Sequence, residues 1–280
     1  MNMMQNALKV RPPGVAGLFY SRQKNTLERE VAIFLETATQ IEIVNKVYGL
    51  IAPHAGYMYS GGVAARSYRQ VVDREYDVVV VIAPSHHVYF EEISVFNGDA
   101  YRTPLGDVEV HKKWANELPQ KHPNIIYSDI GHEKDEHSLE VQLPFLQHVL
   151  GDFRLIPIVM GNQDHTNIHV LSEALTDLLT DKKALIVASS DLSHYYSSDK
   201  AAVLDSVVVE HVNNFDEDRL EKDLQLGLCE MCGGGPVITM MKTCRNLGAN
   251  KSKVLIYRNS GDVTGERGQV VGYLSAMIYK

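Results

Sequence analysis

The chain has 280 residues, 45% of them hydrophobic and 22% charged, with 27 Lys and Arg against 35 Asp and Glu and a formal net charge of −8. This composition excludes disordered, collagen-like and coiled-coil classes, and the acidic balance argues against a broad phosphate-binding surface, so no nucleic-acid partner is expected. Three cysteines, an odd number, are too few for a disulfide-stapled secreted scaffold and point to a reducing compartment. No apolar run approaches the roughly 18 residues of a membrane span, and the first residues, Met1 to Asn6, lack a basic region followed by an apolar run. The expectation is a soluble, cytoplasmic protein with no membrane partner. No linker, low-complexity tract or repeat divides the sequence, so residues 1–280 are read as a single domain.

In chain order, 47–52 is a short, dense apolar run that predicts a strand buried on both faces. A helix is predicted over 61–72, after Ser60-Gly61-Gly62, and a second strand over 78–83. The segment 91–110 breaks the rhythm and reads as an inserted hairpin or long loop. Residues 136–150 place Leu139, Leu143, Leu146 and Leu150 on one helical face, with Asp135 as N-cap. A strand over 155–160, a helix over 166–180 and a strand over 185–188 follow. Helices are expected at 199–213, at 216–226 and after Pro236, which suits a first turn; 253–257 and 269–278 read as strands. Strands alternating with helices predict an α/β fold, a largely parallel or mixed sheet with helices on both faces.

Four predicted strands run into polar loops holding histidine: Ala52-Pro53-His54, Ala83-Pro84-Ser85-His86-His87, Met160 to His165, and Ser189-Ser190-Asp191-Leu192-Ser193-His194. In an open parallel sheet such loops converge on one edge, where ligands bind. His54 and His86 each follow a strand and a stiffening proline; imidazole on a rigid element suits Zn, Cu or Fe, though each ring also suits a hydrogen bond to loop backbone. His87 is expected in an outer layer or as a proton carrier. Asp191 near His194 suggests a carboxylate orienting a general base. Ser189 and Ser190 lack a G-x-S-x-G setting, so serine-hydrolase chemistry is set aside.

Cys229-Glu230-Met231-Cys232 followed by Gly233-Gly234-Gly235-Pro236 permits a thiol redox pair, half of a zinc site, or one functional thiol at Cys232, stabilised as thiolate by the helix N-terminus beyond it. Cys229 and Cys244 read best as core cysteines. Glu136 and Glu140 lie four apart. Glu140 reads as a charged first turn, while Glu136 and His137 are open between that and a pocket border. Phosphate-binding glycine motifs and H-E-x-x-H are absent.

Taken together, Ala16 to Tyr20, Ala52 to Tyr57, Pro84 to His87, Tyr101 to Gly106, Asp135 to Glu140, Ser190 to His194 and Cys232-Gly233 resemble the Memo family, in order and over nearly the whole chain. The resemblance implies the α/β/α sandwich of class III extradiol dioxygenases of the LigB type and a pocket related to their non-haem iron site. It marks His54, His86 and Cys232 as metal-facing, and His194 with Asp191 as the acid/base pair. His87, Glu136, His137, Phe19 and Tyr59 are expected to line the pocket. It implies a metal cofactor (Fe, Cu or Zn), redox or oxygenase-type chemistry, a small-molecule or peptide ligand, and association of microbial members with a radical-SAM protein and an AMMECR1-type protein. Cys232 stands where the dioxygenases carry a carboxylate, which disfavours catechol cleavage and shifts preference toward copper or zinc. His165 matches no motif and is read as incidental. The rival reading is a non-catalytic binding module using the same pocket.

Overall fold

In a computed structural model of the chain, residues 8–41 and 45–280 are described. The elements in order are β1 (Val10–Arg11), α1 (Lys24–Glu36), β2 (Val47–Ala52), α2 (Tyr57–Tyr68), β3 (Val78–Pro84), β4 (Ile93–Phe96), β5 (Ala100–Thr103), β6 (Gly106–Glu109), α3 (Lys112–Glu117), β7 (Ile125–Ser128), α4 (Leu143–Leu150), β8 (Leu155–Met160), α5 (His165–Leu179), β9 (Ala184–Ser189), β10 (His194–Tyr196), α6 (Ser198–Asn213), α7 (Glu217–Gln225), α8 (Gly234–Asn246), β11 (Lys251–Asn259), α9 (Gly261–Thr264) and β12 (Val270–Tyr279).

The fold is mixed α/β, a large mixed sheet flanked by helices. The nine-stranded sheet has the order β10-β12-β2-β9-β3-β8-β4-β7, and β11 also pairs with β12. Its centre, β2-β9-β3-β8, is parallel; β12 and β4 flank it antiparallel. Every residue of these four central strands is buried, which is why their sequences read as unbroken apolar runs rather than alternating ones. Parallel pairing brings the carboxyl ends Ala52, Ser189, Pro84 and Met160 to one edge.

The segment 91–110 divides its work. β4 enters the main sheet beside β8, while β5 and β6 form a hairpin that pairs with β1 in a separate three-stranded sheet.

Two helix expectations need correction. α2 starts at Tyr57, so Gly61 and Gly62 lie inside the helix and not before it. The reason is packing: a Cβ on Gly61 would meet the Phe34 ring of α1 at 2.7 Å, so glycine lets the two helices approach. The helix expected over 136–150 is only Leu143–Leu150, preceded by a 3₁₀ turn at Glu140–Gln142. Pro144 lacks an N–H and fits only the first turn, so the helix begins there, and Asp135 is an exposed loop residue, not its cap.

Glu140 also departs from expectation. It is fully buried, not a solvated first-turn charge. Its carboxylate pairs with Arg11 and accepts from Gly14 N (2.8 Å), Val15 N (3.1 Å) and the Tyr20 hydroxyl (2.5 Å). Among the described residues no helix is long and apolar enough to cross a membrane.

Candidate metal centre

The four central strand ends set the site. His54 follows β2, His86 follows β3, and Ser189 to Asp191 close β9. Cys232 arrives from the loop before α8. That loop passes so close to β9 that a Cβ on Gly233 would sit 2.2 Å from the Ser189 carbonyl oxygen; only glycine permits the approach. The Gly233 N–H donates to Ser190 Oγ (2.9 Å), and Gln163, from the loop after β8, donates to the Cys232 carbonyl (2.9 Å).

These loops bring His54, His86 and Cys232 together. One donor atom from each lies within 4.8 Å of the other two. Cys232 Sγ is 3.2 Å from His54 Nε2, and the His54 and His86 rings meet edge to face at 5.0 Å. His137 stacks on His86 at 4.8 Å and meets Phe19 at 4.7 Å. His87, exposed, lies 6.3 Å from His137. Tyr59 is exposed on the first turn of α2.

Each ring has one nitrogen engaged away from the cluster. His54 Nδ1 bonds Ser189 Oγ (2.8 Å) and His86 Nδ1 bonds Glu136 Oε1 (3.0 Å). Glu136 accepts as well from the His86 N–H (2.5 Å) and the Ser138 N–H (2.9 Å). Burial alone would raise its carboxyl; these bonds and the His86 charge hold it well below the usual carboxylate range. Glu136 therefore borders the pocket as an ionised clamp on His86. Although His86, Glu136 and His137 also group closely, both Glu136 oxygens are already occupied by hydrogen bonds.

His54 is buried, Cys232 part-buried and His86 exposed, and the site is crowded with imidazole. His54 is held well below the ordinary histidine value, first by burial and then by the charges of His86 and His137. Burial, with His86 next, lowers His137 to about 4. His194 is lowered by burial and by His86, against a hydrogen bond to the Leu192 carbonyl. Burial thus favours the neutral form of the His54 ring, the form that binds metal.

Two expectations about the site change. Asp191 does not orient His194. Its Oδ1 accepts from the His54 N–H (2.8 Å), its own N–H points at Cys232 Sγ (3.2 Å), and its Oδ2 lies 3.9 Å from His54 Nε2. It ties the His54 loop to the Cys232 loop, and burial raises its carboxyl to about 7. Nor is Cys232 a stabilised thiolate. Burial, then the Asp191 charge, push its thiol up to about 12. His194 opens β10, pairs with Val271 of β12 and lies within electrostatic reach of His54 and His86. His165 is exposed at the start of α5 and bonds Glu221 (2.6 Å), outside the cluster. All three cysteines are free thiols; Cys229 and Cys244 are buried in the core, and only Cys232 meets the imidazoles.

Sequence reasoning missed Gln142, which donates to Ser189 Oγ (2.8 Å), and weighed Ser189 only as a nucleophile. Ser189's place at a strand end beside His54's strand was the available signal; Gln142, in a segment read as plain helix, offered none. A surface groove of about 1140 Å³ lies at the amino ends of the strands around Tyr76, Asp77 and Arg154 and contains none of these groups.

The sequence profile of the Memo-like protein family matches residues 11–277. The chain is similar to proteins described as MEMO1 family proteins in several archaea. It is 38% identical over 275 residues to one from Methanosarcina mazei, covering 97% of this chain and 100% of the relative. It is 35% identical over 280 residues to one from Methanobrevibacter smithii, covering 96% and 99%. Among solved structures, a protein from Escherichia coli K12 described as uncharacterized superposes with a TM-score of 0.53 at 12% identity, covering 84% of this chain and 100% of that one. That likeness shows the fold.

Proposed function

The chain belongs to the Memo-like protein family, and from that premise we propose that its strand-end site holds one metal ion through His54, His86 and Cys232 and serves redox chemistry on a small molecule. The observation that carries this reading is the donor set: one atom from each residue, all within 4.8 Å of one another. Two imidazoles and a thiol suit copper, zinc or iron and disfavour hard cations such as magnesium or calcium. The rings are fixed by Ser189 and Glu136, so little ordering remains when an ion binds. A copper or iron ion would supply one-electron chemistry in this site; a zinc ion would supply a Lewis acid.

The chain's own groups divide the remaining tasks. Asp191 holds the two ligand loops together through backbone hydrogen bonds. His194 and His137, lowered but not fully buried, stand beside the ligand rings and suit proton transfer to or from a bound molecule. Phe19 packs against His137 and supplies an apolar edge at which a flat ligand can rest.

Metal analysis of protein purified without added metal tests the reading. The expected result is about one ion per wild-type chain and less than about a tenth of that in His54→Ala and Cys232→Ser, since each variant removes one of three ligands. Equal, negligible metal in all three proteins would overturn it. A pocket that binds a small molecule without turnover is separated by assay with superoxide, reduced copper or catechols.

A further inference from the structure

We propose that Ser189, supported by Gln142, is a positioning residue that fixes His54 in the Nδ1–H tautomer and so keeps the Nε2 lone pair aimed at Cys232. The inference deepens the metal-site reading, but its central test does not depend on a metal.

The assignment follows from which groups can donate. The Ser189 hydroxyl has one proton and lies 2.6 Å from the Ser138 carbonyl oxygen. A carbonyl only accepts, so that proton points at Ser138. Gln142 Nε2 lies 2.8 Å from Ser189 Oγ and 3.0 Å from the Pro53 carbonyl. The Pro53 oxygen also only accepts, so the NH₂ end of Gln142 faces this way. The opposite end agrees, because Gln142 Oε1 accepts from the buried Tyr68 hydroxyl at 2.6 Å. Ser189 Oγ therefore gives its proton to Ser138 and receives one from Gln142. The remaining contact, His54 Nδ1 at 2.8 Å, must donate to it. His54 then carries its proton on Nδ1, and Nε2, 3.2 Å from Cys232 Sγ, is left bare.

Each step is buried: Tyr68, Gln142, Ser138, Ser189 and His54 are all nearly inaccessible to solvent. Water therefore cannot easily replace a missing partner, and the chain Tyr68–Gln142–Ser189 dictates the proton position on the far ring. Turning the Ser189 proton toward His54 Nδ1 instead would leave an oxygen lone pair facing the Ser138 carbonyl oxygen, a repulsive contact. Glu136 imposes the same tautomer on His86 by accepting from Nδ1, so both imidazoles present Nε2 to the cluster.

The test is ¹⁵N–¹³C correlation NMR on metal-free protein labelled at histidine. Wild-type His54 is expected to show a protonated Nδ1 and an unprotonated Nε2. In Ser189→Ala the Nδ1–H loses its Ser189 acceptor, while the Asp191 carboxylate lies 3.9 Å from Nε2. The tautomer ratio should then move toward Nε2–H by at least about tenfold. Ser189→Thr, which keeps the hydroxyl, should restore the wild-type pattern, and Gln142→Met should shift the ratio in the same direction by less. A wild-type His54 protonated on Nε2, or a ratio unchanged in Ser189→Ala, would overturn the proposal, and the wild-type spectrum alone suffices if a variant fails to fold. Titration with Co²⁺ separates this claim from the one on which it rests. Weakening by about 10–100-fold in Ser189→Ala supports both claims. Absence of Co²⁺ binding to wild type, with the expected tautomers, defeats the metal reading and leaves the tautomer assignment standing.

Discussion

His132 and His54 are both buried imidazoles lowered below the ordinary histidine value chiefly by burial, yet they do different things. His132 has both nitrogens engaged, Nδ1 with the Tyr101 hydroxyl (2.5 Å) and Nε2 with the Ser94 carbonyl (3.2 Å). His54 has only Nδ1 engaged with a structural partner; its Nε2 faces a thiol. The same contrast separates Glu140, saturated by Arg11, Tyr20 and two backbone N–H groups, from Glu136, whose bonds converge on a candidate ligand. Burial and a shifted pKa do not mark a site by themselves. A nitrogen left free after the structural bonds are counted does.

The largest expected effect is on the structural side. Glu140→Ala leaves Arg11 buried without its partner and should cost about 3–5 kcal/mol of stability in urea unfolding, with metal content per folded chain unchanged. Glu136→Ala should do the reverse: a modest stability loss and metal affinity lowered about 10–100-fold. If the two variants exchange these phenotypes, the contrast between saturated and directed carboxylates fails.

Next in size is the pH dependence of metal binding. The Cys232 thiol is pushed up to about 12, so an ion must displace its proton. Apparent affinity should therefore rise about tenfold per pH unit through the neutral range, by competition titration, and most of that slope should vanish in Cys232→Ser. A flat profile in wild type would mean that the thiol is not a ligand.

His132 should show its structural role in acid. Its folded-state value, about 3, lies below the unfolded 6.5. The unfolded chain therefore takes up the proton first. The stability that neutral His132 contributes is full above about 6.5 and is lost as pH falls from there toward 3. His132→Gln should reduce this part of the acid dependence of unfolding while leaving metal uptake intact. The smallest effect is expected from Tyr68→Phe, which removes one hydrogen bond at the far end of the His54 chain: about 1 kcal/mol of stability, read from the urea midpoint, and little change in metal affinity.

Much of this architecture was legible in the sequence because it is written locally. Fully buried parallel strands must be continuous apolar runs, and 47–52 and 155–160 coincide with β2 and β8. The convergence of His54 and His86 follows from parallel strands alone. What escaped is nonlocal. Glu140 looks like a surface charge because its partner Arg11 lies 129 residues earlier. Asp191 looks like a partner for His194 because the two are near neighbours in sequence, whereas its hydrogen bond goes to His54, 137 residues away. Leucine periodicity over 136–150 suggested one helix, but Pro144 and the buried turn at Glu140–Gln142 break it so that Glu136, Ser138 and Gln142 reach the site from irregular backbone. The Cys232 thiol could not be placed on the pKa scale from its helix N-terminus, because the burial and the carboxylate that raise it come from other loops.

The most direct measurement is the near-ultraviolet absorption of metal-free protein titrated with Co²⁺. The proposed site predicts a sulfur-to-cobalt charge-transfer band that saturates at one equivalent, is absent in Cys232→Ser and is weakened or lost in His54→Ala. Binding without that band, or a band that survives both substitutions, would contradict a centre built from His54, His86 and Cys232.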